Sequence, residues 1–352
     1  MKTLTGEQFK MRFFINSGAY QGIVSRLIER GHEVVGSVDG RRVDDNYICY
    51  AHFANPQITA QQYSVTLKQQ IEESKPDIYI CCKGYFFDKC VLPETVEWIK
   101  KRVKTTIYWC QDDPFFVPTF KQLQMYRGYD IALTCDLASV AVYKALGIKN
   151  AHLWWPAWDT VSRPFTPVPE NEKIDCIFAG SPYRISPIPR DQLVSALLDK
   201  GINVELYGNS IWTQGGRSGM QNGNPRFVNN YKGNWANWAT VHTLFARSRI
   251  NFSNHIVRSP GYLNDRVFMI MGVGGFLLMD DQPEVNKYFI DGKEIVYFST
   301  VKDFADKALY YLRNPELRNT IGENARKKIL AEHTYTHRVD YLLDVLEKAG
   351  IK

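Results

Sequence analysis

Short apolar runs alternate with helical stretches of about ten to fifteen residues, twice over, along this chain of 352 residues. The first series opens with Arg12-Phe-Phe-Ile-Asn16, turns through Ser17, Gly18 and Gly22, and continues as a helical pattern to Arg30, with Gly31 past its end. Strand-like runs follow at 33–38, 77–82, 105–110, 130–134 and 152–155, and helical stretches at 59–74, 92–103, 119–127 and 136–146. Strands separated by helices pair in parallel, so this is an α/β chain built from strand–helix–strand units. Four prolines then crowd 156–172, where each removes a backbone donor. The pattern restarts beyond them with strands at 175–179, 204–208, 250–254, 276–279 and 294–298, and it ends in three helices. The expected domains are 1–160, a linker at 161–173, a second domain at 174–332 and a terminal segment at 333–352. The glycine- and asparagine-rich stretch 209–234 is expected to be a long loop. Open α/β sheets bind ligands beyond the carboxyl ends of their strands. Two such lobes therefore predict a site in a cleft between them.

Composition narrows the class. With 45% hydrophobic and 23% charged residues, the chain is neither disordered nor of low complexity. Its longest apolar run, 267–279, includes three glycines and is too short to span a bilayer. Residues 1–10 lack a hydrophobic signal core, which predicts a cytoplasmic protein. The net charge of +6 is spread evenly, with 20 basic against 17 acidic residues up to 165 and 23 against 20 beyond it. It suits an anionic ligand but forms no basic arm. The seven cysteines are odd in number and form no paired CxxC motifs, so they read as buried reduced thiols.

The residue types that carry chemistry fall at strand ends. Asp112 and Asp113 follow the run 105–110, where a carboxylate could take the proton of an attacking hydroxyl, Asp113 ahead of Asp112, or merely cap a turn. The same dipeptide recurs at Asp44-Asp45 and Asp280-Asp281, so it argues little for a metal. Gly18 lies in a first turn that fails the G-x-G-x-x-G pattern, which disfavours a dinucleotide dehydrogenase. Asn264 and Asp265 are expected to cap a helix whose first turn holds Arg266. Arg184 and Arg190 follow the Gly180-Ser181 turn. A helix start and guanidinium forks together suit phosphate. Gly274-Gly275 is either a helix end or a close approach to a ligand. His333 and His337 are four apart without an evident third metal ligand, so no metal is assigned. His255 ends a strand, and Trp154, Trp155 and Trp158 either stack on a ligand or fill a core. The basic run 98–104 either touches nucleic acid or forms a solvated helix end.

Taken in order, Arg266-Val-Phe, Gly274-Gly-Phe-Leu-Leu-Met-Asp280, Tyr311-Leu-Arg-Asn-Pro315 and His333-Thr-Tyr-Thr-His-Arg338 resemble the donor-binding half of GT-B glycosyltransferases. The resemblance is strongest to the CgeB-like (spore-maturation) group and its phage relatives, and it covers about 170–350 well. In the first half only Trp109-Cys-Gln-Asp-Asp-Pro114 matches, and a more distant similarity is to a phage enzyme that glucosylates hydroxymethylcytosine in DNA. It implies two Rossmann-like lobes with C-terminal helices packing back on the first, and transfer of a sugar from a nucleotide-sugar, UDP-linked, to an acceptor hydroxyl. No tightly bound cofactor is implied; the nucleotide-sugar is a co-substrate, and a divalent metal is not required. DNA with hydroxymethylated bases is an alternative acceptor, and binding without turnover is an alternative function. The donor site so implied comprises Arg266, Arg184, Arg190, Gly180, Ser181, Asn264, Asp265, Gly274, Gly275 and Gly18. The family's ribose-gripping glutamate, three residues after the arginine, is Met269 here, with Asp280 or Glu284 as substitutes.

Overall fold

A computed structural model describes residues 10–16, 21–38, 41–42, 59–82, 85–86, 89–111, 113, 128–182, 186–214, 223–234 and 240–352. Gly18, Asp112, Arg184 and the stretch 119–127 lie outside these residues. The chain divides into two compact units, one of Met1–Trp155 with Tyr335–Lys352 and one of Pro156–Thr334.

The first unit is built on strands β1 (Arg12–Asn16), β2 (Glu33–Val38), β3 (Arg41–Arg42), β4 (Ile78–Cys82), β5 (Tyr85–Phe86), β6 (Lys89–Cys90), β7 (Thr105–Cys110), β8 (Ile131–Thr134) and β9 (Asn150–Leu153). Seven of them form one sheet in the order β3-β2-β1-β4-β7-β8-β9. All neighbours are parallel except the short edge pair β2–β3. Every residue of β7 and β8 is buried, which is why these runs read as continuous apolar stretches rather than alternating ones. Helices α1 (Gln21–Glu29), α2 (Ala60–Ser74), α3 (Pro93–Lys100) and α4 (Leu137–Ala145) supply the crossovers. A capping box starts α2: the Thr59 hydroxyl accepts from the Gln62 amide at 3.1 Å, and the Gln62 side chain accepts from the Thr59 amide at 2.8 Å.

The second unit repeats the plan with β10 (Ile174–Ala179), β11 (Val204–Tyr207), β12 (Tyr231–Gly233), β13 (Ser248–Ser253), β14 (Leu277–Asp280) and β15 (Val296–Phe298). Its order, β12-β11-β10-β13-β14-β15, is wholly parallel and reverses direction between β10 and β13. Helices α5 (Arg190–Asp199), α6 (Ile211–Gln214), α7 (Val241–Ala246), α8 (Asp265–Gly272), α9 (Val301–Arg313) and α10 (Pro315–Glu332) complete it. The Phe178 and Phe252 rings stack at 4.5 Å in its core, with Phe304 edge-on to Phe252. The stretch 209–234 is not a plain loop, because α6 buries Trp212 and β12 forms the sheet edge. The proline-rich segment belongs to this unit too. Its Glu170 carboxylate accepts from Arg249 at 2.9 Å and from the buried Arg318 at 2.6 Å, which ties the segment to β13 and α10.

The last helix, α11 (Tyr335–Lys348), belongs to the first unit and packs on α1. Arg30 grips Asp340 with two hydrogen bonds of 2.8 Å. Arg338, 9% exposed, donates to the Trp155 carbonyl at 2.8 Å, and burial pushes its guanidinium down to about 10.

Gly274 and Gly275 join α8 to β14, at the edge where the strands of the second sheet begin. Gly274 has a φ of +67°. A Cβ on Gly322 of α10 would lie 2.3 Å from the Gly274 carbonyl oxygen. Gly322→Ala should therefore destabilise the second unit by about 1–3 kcal/mol, read as a lower urea midpoint at unchanged slope.

Candidate functional site

The β10–β13 reversal leaves two strand ends without a crossover between them, and the sequence puts its polar residues there. Ala179-Gly180-Ser181 closes β10, and Ser253-Asn254-His255 closes β13. From the same edge α8 starts at Asp265, with Asn264 as its N-cap.

Arg266, in the first turn of α8, reaches back over this edge. It donates to the Ala179 carbonyl at 3.0 Å and to the Ser253 hydroxyl at 3.4 Å, with its guanidinium carbon 4.8 Å from the centre of the Phe178 ring. Gly180 makes this path possible. A Cβ there would sit 2.6 Å from the Arg266 Nη2 and 2.8 Å from the Phe178 ring. The glycine is thus needed for space, and Arg266 remains half-buried at the rim.

Arg190 plays a different part from the one expected of it. It is 4% exposed, and its guanidinium is turned onto protein acceptors: Asn254 Oδ1 at 2.9 Å, the Ser181 carbonyl at 2.8 Å and the Asn254 carbonyl at 3.0 Å. It braces the two strand ends rather than offering a fork to a ligand. The Asn254 amide in turn donates to Ser186 Oγ at 3.2 Å and the Ile188 carbonyl at 2.8 Å. Ser181 stays half-buried at the same edge, its hydroxyl accepting from Asn209 at 3.2 Å.

The start of α8 is held from behind by a buried relay. His255, 1% exposed, lies 2.7 Å through Nδ1 from Asp280, and its Nε2 lies 3.3 Å from the Asn264 amide. The Asn264 amide donates, so Nε2 accepts and Nδ1 carries the proton toward Asp280. Gln282 adds a hydrogen bond of 2.7 Å to Asp280. The Asn264 side chain does not cap α8, contrary to expectation; its Oδ1 accepts from Ser253 at 3.2 Å. Asp265 in the first turn lies 3.9 Å from Arg163.

Several expectations are corrected by position. Gly274 and Gly275 lie at the opposite end of α8 from Arg266, and their role is the helix end and the close passage of α10. Asp280 is engaged by His255 and Gln282, and Glu284 is exposed and pairs with Lys287 at 2.7 Å. Met269 is 1% exposed on α8. Asp113, in the first unit, is fully buried: Thr134 and Tyr143 donate to its Oδ2 at 2.8 and 2.7 Å. Burial pushes its carboxyl up to about 7, against the pull of these hydrogen bonds. Among the described residues the carboxyl is turned onto Thr134 and Tyr143 rather than toward solvent.

Trp154, Trp155 and Trp158 are buried, Trp154 edge-on to Trp109 at 4.6 Å, so they are core. Three of the four cations of the run 98–104 are paired within their own unit, Lys100 with Asp130, Arg102 with Glu72 and Lys104 with Asp77, while Lys101 is exposed. The patch presents little net charge to a nucleic acid. Cys81, Cys110, Cys135 and Cys176 are buried thiols. The His333 ring packs against Phe268 and Phe289. Among the described residues no three His, Cys, Asp or Glu side chains gather as a metal site, and no helix is long and apolar enough to cross a membrane.

Two Rossmann-like units with their terminal helix exchanged in this way define the GT-B glycosyltransferase fold. Residues 190–344 match the family model described as glycosyl transferase-like, a stretch that contains Arg190, Arg266 and the His255 relay. No match was found among curated proteins. Among solved structures, sucrose-phosphate synthase from Thermosynechococcus elongatus is similar with a TM-score of 0.69 at 10% identity, over 97% of this chain and 99% of that one. HepE from Anabaena, solved with UDP-glucose, has a TM-score of 0.65 at 10% identity, over 96% and 100%. A glycosyltransferase from Rickettsia africae has a TM-score of 0.64 at 12% identity, over 96% and 98%.

Of the site, the sequence brought forward Arg266, Arg190, Gly180, Ser181, Asn264 and Asp265, and these do meet at one sheet edge. It missed Asn254 and Ser253. Their signal was a polar Ser-Asn-His triplet directly after Phe252 of the strand.

Proposed function

We propose that the protein is a glycosyltransferase that moves a hexosyl or pentosyl group from a nucleotide-sugar, UDP-linked, to an acceptor hydroxyl. The observation that carries this is the Arg266 guanidinium at the reversal point of the second sheet, in the first turn of a helix whose N-cap side chain is turned away. A leaving nucleoside diphosphate develops negative charge as the bond from sugar C1 to its phosphate oxygen breaks. A helix start and an arginine stabilise that charge without a metal. The acceptor oxygen bonds to C1, and its proton leaves with the departing phosphate or to solvent. Arg190 acts here as a positioning residue, and the His255–Asp280 pair fixes the loop that carries Asn264. The GT-B fold and the UDP-glucose held by HepE support the donor class. The resemblance to the CgeB-like group points the same way.

Calorimetry with UDP, GDP, ADP and TDP tests the reading. UDP should bind, and Arg266→Ala should weaken it about 10- to 100-fold, the loss of one charge-assisted contact. Failure of every nucleotide to bind, or unchanged affinity in the variant, overturns it.

A second reading, binding without turnover, is favoured by Met269, a side chain that accepts no hydrogen bond from a ribose. Release of free UDP from UDP-glucose by the purified protein would dismiss it.

A further inference from the structure

The second unit contains a cavity of about 330 Å³ at the edge of the sheet opposite the reversal point. Ser248 and Arg249, at the start of β13, and Gly275 and Phe276, just before β14, form its floor. The proline-rich segment supplies Phe165 on one side, and α10 supplies Asn319 and Arg326 on the other.

The charges around it are unequally matched. Arg249 pairs with Asp175 at 2.9 Å and shares the Glu170 carboxylate with Arg318, and Lys173 lies 3.4 Å from the same Glu170 group. Glu323 also lines the cavity, on the exposed side of α10. Arg326 has no ion pair among the described residues. It donates to the Gly272 carbonyl at the end of α8, and its guanidinium carbon lies 4.0 Å from the centre of the Phe165 ring. One helix-end carbonyl and one ring face offset only part of the cost of taking a guanidinium out of water. The remaining lining is apolar: Phe165, Pro167, Val168, Val273 and Phe276.

A planar cation pressed on an aromatic ring, beside an apolar wall and an empty volume of small-molecule size, matches an oxyanion attached to an apolar body. We propose that this cavity is a binding site for a small organic anion, a carboxylate or phosphate monoester on an aromatic or aliphatic frame, with Arg326 as its charge partner. The site is separate from the donor edge and stands whether or not a nucleotide-sugar binds there.

The test is calorimetric titration of the full-length protein with phenyl phosphate, benzoate and inorganic phosphate. Saturable binding of phenyl phosphate or benzoate is expected, tighter than inorganic phosphate, and whichever binds tighter identifies the anionic group. Arg326→Gln should weaken it at least tenfold. Asn319→Trp, on the exposed face of α10, should block entry and weaken it likewise, and it decides the matter if the first variant does not fold. UDP affinity should be the same in Asn319→Trp as in the wild type. No saturable binding, equal binding of inorganic and phenyl phosphate, or affinity unchanged by both substitutions would overturn the proposal. The last of these outcomes would leave Arg326 as a cap on α8.

Discussion

Asp113→Asn should become increasingly stable relative to the wild type as pH rises, with the gap growing by about 3 kcal/mol between pH 5 and pH 8. The buried Asp113 carboxyl titrates near 7 in the folded chain, against an ordinary value of 3.8. Between these values the folded state holds a proton that the unfolded state has released, so stability falls as pH rises from about 4 to 7. Above 7 the folded state carries a buried negative charge, for which the Thr134 and Tyr143 hydroxyls compensate only in part. Asparagine keeps an acceptor for both donors and does not ionise. Other groups titrate in the same window, among them His32 and His152, whose burial lowers their pKa and gives the opposite slope. The comparison of variant with wild type cancels them. Urea unfolding of both proteins at half-unit pH steps is the measurement. A constant gap would show that Asp113 is ionised throughout.

Arg190→Ala should cost the second unit about 3–5 kcal/mol and abolish UDP binding with it. The substitution strips hydrogen bonds from the buried carbonyl and amide oxygen of Asn254 and from the half-buried Ser181 carbonyl, at a point where no crossover helix joins the strands. Arg190→Lys should recover less than half of the loss, because a single ammonium cannot reach three acceptors spread over both strand ends. The check is the urea midpoint for the second unit, together with calorimetry of both variants. Wild-type stability in the lysine variant would mean that charge alone matters there, not the fork.

These two residues also show where sequence reasoning reaches its limit. Arg190 and Arg266 were both legible as arginines at strand-to-helix junctions, and both do lie at one sheet edge. What separates a ligand-facing guanidinium from an internal brace is the direction of its donors, which depends on Asn254, 64 residues from Arg190. Gly274-Gly275 was legible as a helix end, but its side of the sheet follows from the strand direction: a helix after β13 carries the chain back to where the strands begin. Asp113 followed a strand as an acceptor-side base would, yet the residues that bury it, Thr134 and Tyr143, come from β8 and α4.

The alternation of apolar runs and helices decided the α/β class and the two-fold repetition of the chain, because periodicity and local capping depend on neighbours a few residues apart. Tertiary structure decided the strand order 3-2-1-4-5-6 of the second sheet and which polar residues share an edge, and it bore out the return of α11 to the first unit, which the family resemblance implied but no local pattern showed. Those outcomes depend on pairings between distant segments, whose hydrogen bonds and buried charges leave no local pattern to read.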